Sequence, residues 1–141
     1  MPLAHKKARN MHKHYATLAL AQPGPGILQL TLNRPEFRNA LNTQMGLDLR
    51  DLFHDGLNRD PGAARCVVVT GAGDRAFCAG GDLKQRDGMS DEAWRAQHVI
   101  FEQAIYGIME CPLPVIAAVN GAAFGGGCEI ALACDFAYAS A

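Results

Sequence analysis

VIAAVNGAAFGGGCEIALAC, residues 115–134, is the stretch that decides the fold. Its first five residues are apolar and uncharged, which is typical of a strand buried in a parallel sheet. Asn120 and Gly121 then predict a turn, and the pattern indicates a helix that begins near Gly126 and ends at about Ala133. Strand, turn and helix in this order predict an α/β fold.

Three consecutive glycines at 125–127 open this helix. Glycines let a ligand approach the backbone closely, and free N–H groups in the first turn of a helix suit an anion or a developing oxyanion. Neither a phosphate P-loop pattern nor a GxGxxG dinucleotide pattern occurs here. Tight packing of the helix against the sheet explains such glycines equally well, so both interpretations stay open.

Glu129 follows these glycines, in the first turn of the predicted helix. There it would stabilise the helix dipole, or it would act as a general acid or base beside a bound carbonyl. As an acid it would need a raised pKa, and as a base it would need a held water. Its position alone leaves both roles open.

Towards the N-terminus, the sequence predicts a hairpin and a helix. Partly alternating segments at 15–22 and 27–32 flank a Pro-Gly-Pro-Gly turn, which favours an antiparallel pair. Apolar residues at three- and four-residue steps predict an amphipathic helix over 41–57, with Asn42 or Thr43 as its N-cap.

Between this helix and the opening stretch, we expect a strand, a loop and a second helix. The run at 65–70 predicts a strand buried on both faces, and residues 71–87 are expected to form a long polar loop. Ser90 predicts the N-cap of the second helix. The apolar stripe predicted for that helix consists of Trp94, His98, Phe101, Ile105 and Ile108. One more short strand is expected at 135–139.

The composition excludes several functional classes. Of the 141 residues, 49% are hydrophobic, which excludes disorder of the whole chain. The net charge of −1 indicates neither a nucleic-acid partner nor binding to an anionic membrane. The apolar run at 114–119 is too short to span a bilayer.

The five cysteines lack C-x-x-C spacing and fit neither a zinc site nor a disulfide framework. We expect buried, reduced thiols, no bound metal and a cytoplasmic location. Residues 1–14 are basic, and we interpret them as a solvated tail before a domain at 15–141. A transit peptide is the alternative interpretation of this tail.

The loop CAGGD at 78–82 is the second candidate site. Its small residues would present another backbone N–H toward the same pocket, and Asp82 is interpreted as a helix or turn cap rather than a catalyst. Cys78 and Cys128 flank the two glycine loops, but neither loop contains a histidine to activate a thiol. We therefore expect both cysteines to pack in the interior.

Three segments together resemble the crotonase (enoyl-CoA hydratase/isomerase) superfamily. They are NRPEFRNAL at 33–41, AFCAGGD at 76–82 and IAAVNGAAFGGGCEI at 116–130, in the family's order. The resemblance implies a core of stacked ββα units around a central sheet. It also implies an enzyme that binds acyl-CoA thioesters and holds an enolate with two backbone N–H groups, with coenzyme A as part of the substrate and no further cofactor.

The resemblance also implies roles for individual residues. The two N–H groups match Ala79 and Gly126, and Glu129 matches the first of two glutamates that hold water in the hydratases, which favours catalysis over the dipole role. The stretches that line the groove for the substrate match Ala40, Ala79, Gly80, Gly81, Asp82, Gly125 and Gly126.

The sequence departs from the family's pattern after Glu129. In hydratases a second glutamate follows a further strand and turn, whereas this sequence ends at Ala141. We therefore expect the N-terminal part of a crotonase-like domain, apparently truncated before the C-terminal helices. It would be a fragment, one piece of a cleaved or split protein, or a natural short paralogue.

The implied function is hydration of a 2-enoyl-CoA, a lyase reaction, with the activity of the isolated chain left open. A full-length form would be a homo-oligomer, a trimer or a dimer of trimers, or a partner chain would supply the C-terminal half. Isomerases, decarboxylases and thioester hydrolases of the family use the same oxyanion hole, so these reactions are alternatives. A non-catalytic assembly module is another.

Overall fold

The computed structural model describes residues 13–141, so most of the predicted basic tail at 1–14 lies outside the described residues. The strands are β1 (Leu18–Ala21), β2 (Ile27–Leu32), β3 (Cys66–Gly71), β4 (Ala76–Cys78), β5 (Val115–Val119), β6 (Ala122–Ala123) and β7 (Phe136–Ala139). The helices are α1 (Thr43–Arg50), which continues as a π-helical segment (Asp51–Leu57), then α2 (Leu83–Arg86), α3 (Asp91–Met109) and α4 (Gly126–Ala133), and a 3-10 turn covers Pro35–Phe37.

Five strands form the main sheet in the order β1-β2-β3-β5-β7. β1 and β2 pair antiparallel, which confirms the predicted hairpin. The other pairs are parallel, with Leu30 opposite Val69 and Val69 opposite Ala117. Helices therefore connect the parallel strands β2, β3 and β5, as the α/β prediction requires.

One face of the sheet carries the core. Alternate residues of β2 and β3 are buried and cluster with residues of α1, the π-helical segment and α3. The other residues of β3 keep part of their exposure, so the prediction of a strand buried on both faces is wrong. The alternation arises because successive side chains of a strand point to opposite faces, and the core cluster lies on one of them.

The helix predicted over 41–57 forms, with a change of geometry inside it. Asn42 is the N-cap, because its side-chain oxygen accepts a hydrogen bond from the Met45 amide at 2.9 Å. From Asp51 the hydrogen bonding becomes π-helical, a change that the apolar spacing did not predict.

The long polar loop predicted at 71–87 is wrong in its central part. Residues Ala76–Cys78 form the buried strand β4, which pairs in parallel with β6. Asp82 then caps α2, since its carboxylate accepts a hydrogen bond from the Gln85 amide at 3.2 Å. The predicted capping role of Asp82 is confirmed.

The apolar stripe predicted for α3 is only partly buried. Ile108 is in the core, and Phe101 and Ile105 pack against it. Trp94 is 46% exposed and His98 is exposed as well, because the N-terminal part of this helix borders a cavity rather than the core.

The cysteines were expected to be buried, which is wrong for Cys128 and holds only in part for Cys66 and Cys111, which are half-buried. Cys78 and Cys134 are buried, whereas Cys128 is exposed on the first turn of α4. Burial raises the pKa of the Cys78 thiol to about 11 and that of Cys134 to about 12. Neither buried thiol is therefore a thiolate at neutral pH.

A buried ion pair fastens the turn after β2 to the loop after β4. Arg34 donates to the carboxylate of Asp82 at 3.0 Å and to the carbonyl of Ala40 at 2.6 Å. Both side chains of the pair are 11% exposed. Burial alone would raise the pKa of Asp82, but hydrogen bonds from the Gln85 amide and the Arg34 side chain hold it below its ordinary 3.8.

We expect alkylation of the native protein at mildly alkaline pH to modify Cys128 before the other cysteines. Cys78 and Cys134 should stay protected until the protein unfolds, since both are buried and their pKa values are raised. Mass spectrometry of the cysteine peptides after iodoacetamide treatment measures the order. Modification of Cys78 ahead of Cys128 under native conditions would contradict this arrangement.

We expect Asp82→Asn to lower the free energy of unfolding by about 1.5–3 kcal/mol, the contribution of hydrogen bonds to a charged group. The folded pKa of Asp82 lies below its ordinary value, so its contribution is complete above pH 3.8 and is lost as the pH falls through the folded pKa. Urea unfolding at several pH values should show the wild-type and variant stabilities converging in acid. The exposed Asp87, replaced by Asn, is the matched control and should change little.

Candidate active site

A cavity of about 750 Å³ lies where both predicted glycine loops meet α3. One wall consists of Leu41, Gly81, Gly125, Gly126, Glu129 and Ile130. The opposite wall comes from α3 and includes Trp94, Phe101, Ile105, Tyr106 and Met109. The cavity is therefore backbone-rich on one side and aromatic on the other, as small-molecule sites commonly are.

The topology of the sheet brings the two glycine loops together. They follow β4 and β6, which pair in parallel and come directly after β3 and β5, neighbouring parallel strands of the main sheet. The loops therefore lie beyond the carboxyl ends of β3 and β5, where ligands of open α/β sheets bind. Asn120 links the turn after β5 to the turn after β3, because its amide donates to the carbonyls of Gly71 and Gly73 at 2.9 and 3.0 Å. The Gly71 amide donates back to its side-chain oxygen at 3.0 Å.

Two of the glycines are required by close packing between the loops. A Cβ on Gly127 would collide with the Cys78 carbonyl, and one on Gly80 would lie 2.7 Å from the Phe124 carbonyl. Gly80 also has a φ of +88°, which other residues rarely adopt. The packing interpretation thus holds for Gly80 and Gly127.

Among the residues that line the cavity, Gly81, Gly125 and Gly126 have backbone amides with no acceptor within residues 13–141. Gly81 and Gly126, the first residue of α4, form the pair that has one amide from each loop. Leu41 pairs with the extended chain at Gly81 by bonding to the Gly80 carbonyl and the Asp82 amide, both at 2.8 Å. Because alternate backbone groups of an extended chain point to opposite sides, the Gly81 N–H faces away from Leu41.

The structure does not support Ala79 as a source of a free N–H. Its amide donates to the Arg38 carbonyl at 3.0 Å, so it is already used within the fold. The free N–H of this loop belongs instead to Gly81, two residues further along the chain.

The predicted site residues thus fall into two groups. Gly81, Gly125, Gly126 and Glu129 line the cavity together. Ala40, Ala79, Gly80 and Asp82 are not among its lining residues, and they fasten the loops from behind.

Glu129 lies on the cavity wall beside the free amide of Gly126. A Cβ on Gly126 would lie 4.0 Å from its carboxylate oxygen. Within the part of the chain that the structure describes, no group donates a hydrogen bond to this carboxylate. The side chain is exposed, so it is available to a ligand and also near the N-terminus of α4.

The sequence reasoning missed Asn39, which fastens the turn between β3 and β4. It is fully buried with a φ of +55°. Its side-chain oxygen accepts from the Arg34 amide at 2.9 Å, and its nitrogen donates to the carbonyls of Ala72 and Ala76 at 2.9 and 3.0 Å. Asn39 lies two residues after the turn Pro35–Phe37, and an asparagine near such a turn is a signal for a left-handed residue.

The described residues contain no group of three or more His, Cys, Asp or Glu side chains placed to hold a metal ion. Among residues 13–141, none of the helices has the length and apolar character needed to cross a membrane.

Known proteins resemble this chain in sequence and structure. Residues 23–141 match the family described as enoyl-CoA hydratase/isomerase. The chain is 46% identical over 118 residues to a probable enoyl-CoA hydratase of Rhodobacter capsulatus, covering 82% of this chain and 43% of that protein. It is 40% identical over 111 residues to the crotonyl-CoA hydratase of Syntrophomonas wolfei, covering 79% and 42%.

A crystal structure of an enoyl-CoA hydratase from Bacillus anthracis superimposes with a TM-score of 0.81 at 37% identity, covering 86% of this chain and 46% of that one. The chain spans less than half the length of the curated relatives it matches. Because the family match covers most of the sequence and the fold agrees, the chain belongs to the enoyl-CoA hydratase/isomerase family and has the crotonase fold.

Proposed function

We propose that the protein carrying this chain binds acyl-CoA thioesters and adds water to a 2-enoyl-CoA. The observation that carries the proposal is the pair of unpartnered amides, Gly81 and Gly126, on one cavity wall with Glu129. Two such donors suit the oxygen of an enolate. The relative named crotonyl-CoA hydratase supports the same substrate class.

In the proposed reaction, the thioester oxygen accepts hydrogen bonds from the Gly81 and Gly126 amides. Glu129 takes a proton from water as the water oxygen bonds to C3. The electron pair of the C2=C3 bond moves to the thioester oxygen and forms the enolate. Return of a proton to C2, from Glu129 or from a second acid, restores the thioester. The amides stabilise the enolate most strongly because its oxygen carries the developing charge.

Isomerisation of the double bond is the second candidate. It needs one base that removes a proton from one carbon and returns it to another. Glu129, on the same cavity wall as the two amides, meets that requirement without a second acid.

We also propose assembly with further copies, as a trimer or a dimer of trimers, or with a partner chain, and a cytoplasmic location. Support for assembly comes from exposed apolar side chains at the edge of the main sheet and around it. These are Phe124, Leu132, Phe136 and Tyr138. Apolar surface of this kind marks interaction sites. Coenzyme A enters as part of the substrate, and we propose no other cofactor.

We expect Glu129→Gln to lower kcat for hydration of crotonyl-CoA by about 10²–10⁴-fold, the usual contribution of a general acid or base. The loss of absorbance of the conjugated thioester measures the rate. Glu110→Gln is the matched control, because Glu110 is an exposed glutamate at the end of α3. An unchanged rate in the Glu129 variant would leave this residue only its role at the helix dipole.

We expect Gly126→Pro to lower kcat by about 10²–10³-fold, the effect of removing one oxyanion donor. Proline is tolerated at the first position of a helix, which is where Gly126 lies. Gly126→Ala is the control, because it brings the same contact with the flexible end of Leu41 but keeps the N–H. Equal losses in both variants would assign the effect to crowding rather than to the amide.

A further inference from the structure

Arg86, the last residue of α2, places its guanidinium against the candidate thioester site. A Cβ on Gly81 would lie 2.7 Å from Cζ and 2.8 and 2.9 Å from Nη1 and Nη2 of Arg86. Gly81 must therefore lack a side chain for the guanidinium to lie there. Both residues line the cavity, so a cation lies beside one of the two free amides.

A half-buried hydrogen-bond network centred on the buried Gln97 fixes the direction of this side chain. The Nε of Arg86 donates to Oε1 of Gln97 at 3.2 Å, and Gln97 is 3% exposed. The amide nitrogen of Gln97 donates in turn to Thr43 at 2.8 Å and to Gln85 at 3.0 Å. The guanidinium also lies 5.9 Å from the centre of the Phe101 ring. The arginine is thus held by two residues of α3, one of which is itself fixed by α1 and α2, before any ligand binds.

The outer edge of the guanidinium has no partner. Within residues 13–141, Nη1 and Nη2 of Arg86 make no hydrogen bond, and no carboxylate lies within ion-pair distance. The carboxylate of Glu102, on the same cavity, lies instead 3.4 Å from Nε2 of His98. A fixed guanidinium with two free N–H edges matches a carboxylate in shape and charge.

We propose that Arg86 binds a carboxylate on the acyl chain, so that the preferred substrates are CoA thioesters of dicarboxylic acids. This inference rests on the proposed function. The phosphates of coenzyme A are the other source of negative charge, but the long pantetheine arm separates them from the thioester. Arg86 lies at the thioester end, beside Gly81 and opposite the aromatic wall of α3.

Two unreactive ligands test the proposal. Glutaryl-CoA carries a terminal carboxylate, and 5-methylhexanoyl-CoA carries an isopropyl group in its place. Trp94 is the single tryptophan of the sequence and lines the cavity, so its fluorescence reports binding there. Calorimetry gives the Kd independently. We expect the wild-type protein to bind glutaryl-CoA about tenfold or more tightly than its apolar analogue, the effect of hydrogen bonds to a charged group.

Arg86→Gln should abolish this preference, and Arg86→Lys should keep part of it, because lysine retains the charge without the planar fork. Lys84→Gln, which removes an exposed charge from the same helix, should leave the preference unchanged. Acetyl-CoA, which has no acyl carboxylate, should bind the wild-type and Arg86→Gln proteins equally.

Equal weakening of all three ligands in Arg86→Gln would assign Arg86 to the coenzyme A phosphates or to the fold, and would overturn the proposal. So would a wild-type protein that binds glutaryl-CoA no better than its analogue. In both cases acyl-CoA binding, and with it the proposed function, would stand. If none of the three thioesters binds the folded wild-type protein, the proposed function itself fails.

Discussion

The contact between the two glycine loops is the constraint on which the site depends. The helix that starts at Gly126 can come this near to β4 only because Gly127 has no side chain to meet the Cys78 carbonyl. A hydrogen bond of 3.1 Å from the Phe124 amide to that same carbonyl holds the approach. Without it, the amides of Gly81 and Gly126 would not face one cavity. Gly80 and Gly127, one from each loop, therefore allow the contact, whereas Gly126 provides a free N–H at the cavity.

Polar side chains that do not line the cavity also hold the loops in place. Arg34, Asn39 and Asp82 form a chain of buried and half-buried hydrogen bonds that ties the turn after β2 to β4 and to the loop after it. Each group is satisfied by a charged or backbone partner, which is the condition for burying it without a large penalty. The loop that carries Gly81 is thus held by side chains that do not themselves line the cavity.

Much of the fold, and part of the candidate site, could be predicted from the sequence. The bounds of α4 follow from its glycines, and the hairpin follows from its Pro-Gly-Pro-Gly turn, since both signals are local. β4 was missed because three residues are too few to show a period, and its formation depends on pairing with β6. The assignment of Ala79 failed for a similar reason. A motif identifies the loop, but the distant contacts with Arg38 and Leu41 decide which amide is left free.

The two free amides belong to the main chain, and this has a consequence for how such a site diversifies. Most single substitutions exchange side chains and leave a peptide N–H in place, so the proposed means of holding an enolate is largely unaffected by mutation. The opposite wall, on α3, is made of side chains that can change one at a time. Substitutions on the α3 wall can then change the substrate preference. The backbone wall keeps the proposed chemistry, provided that the glycine contacts beneath it are retained.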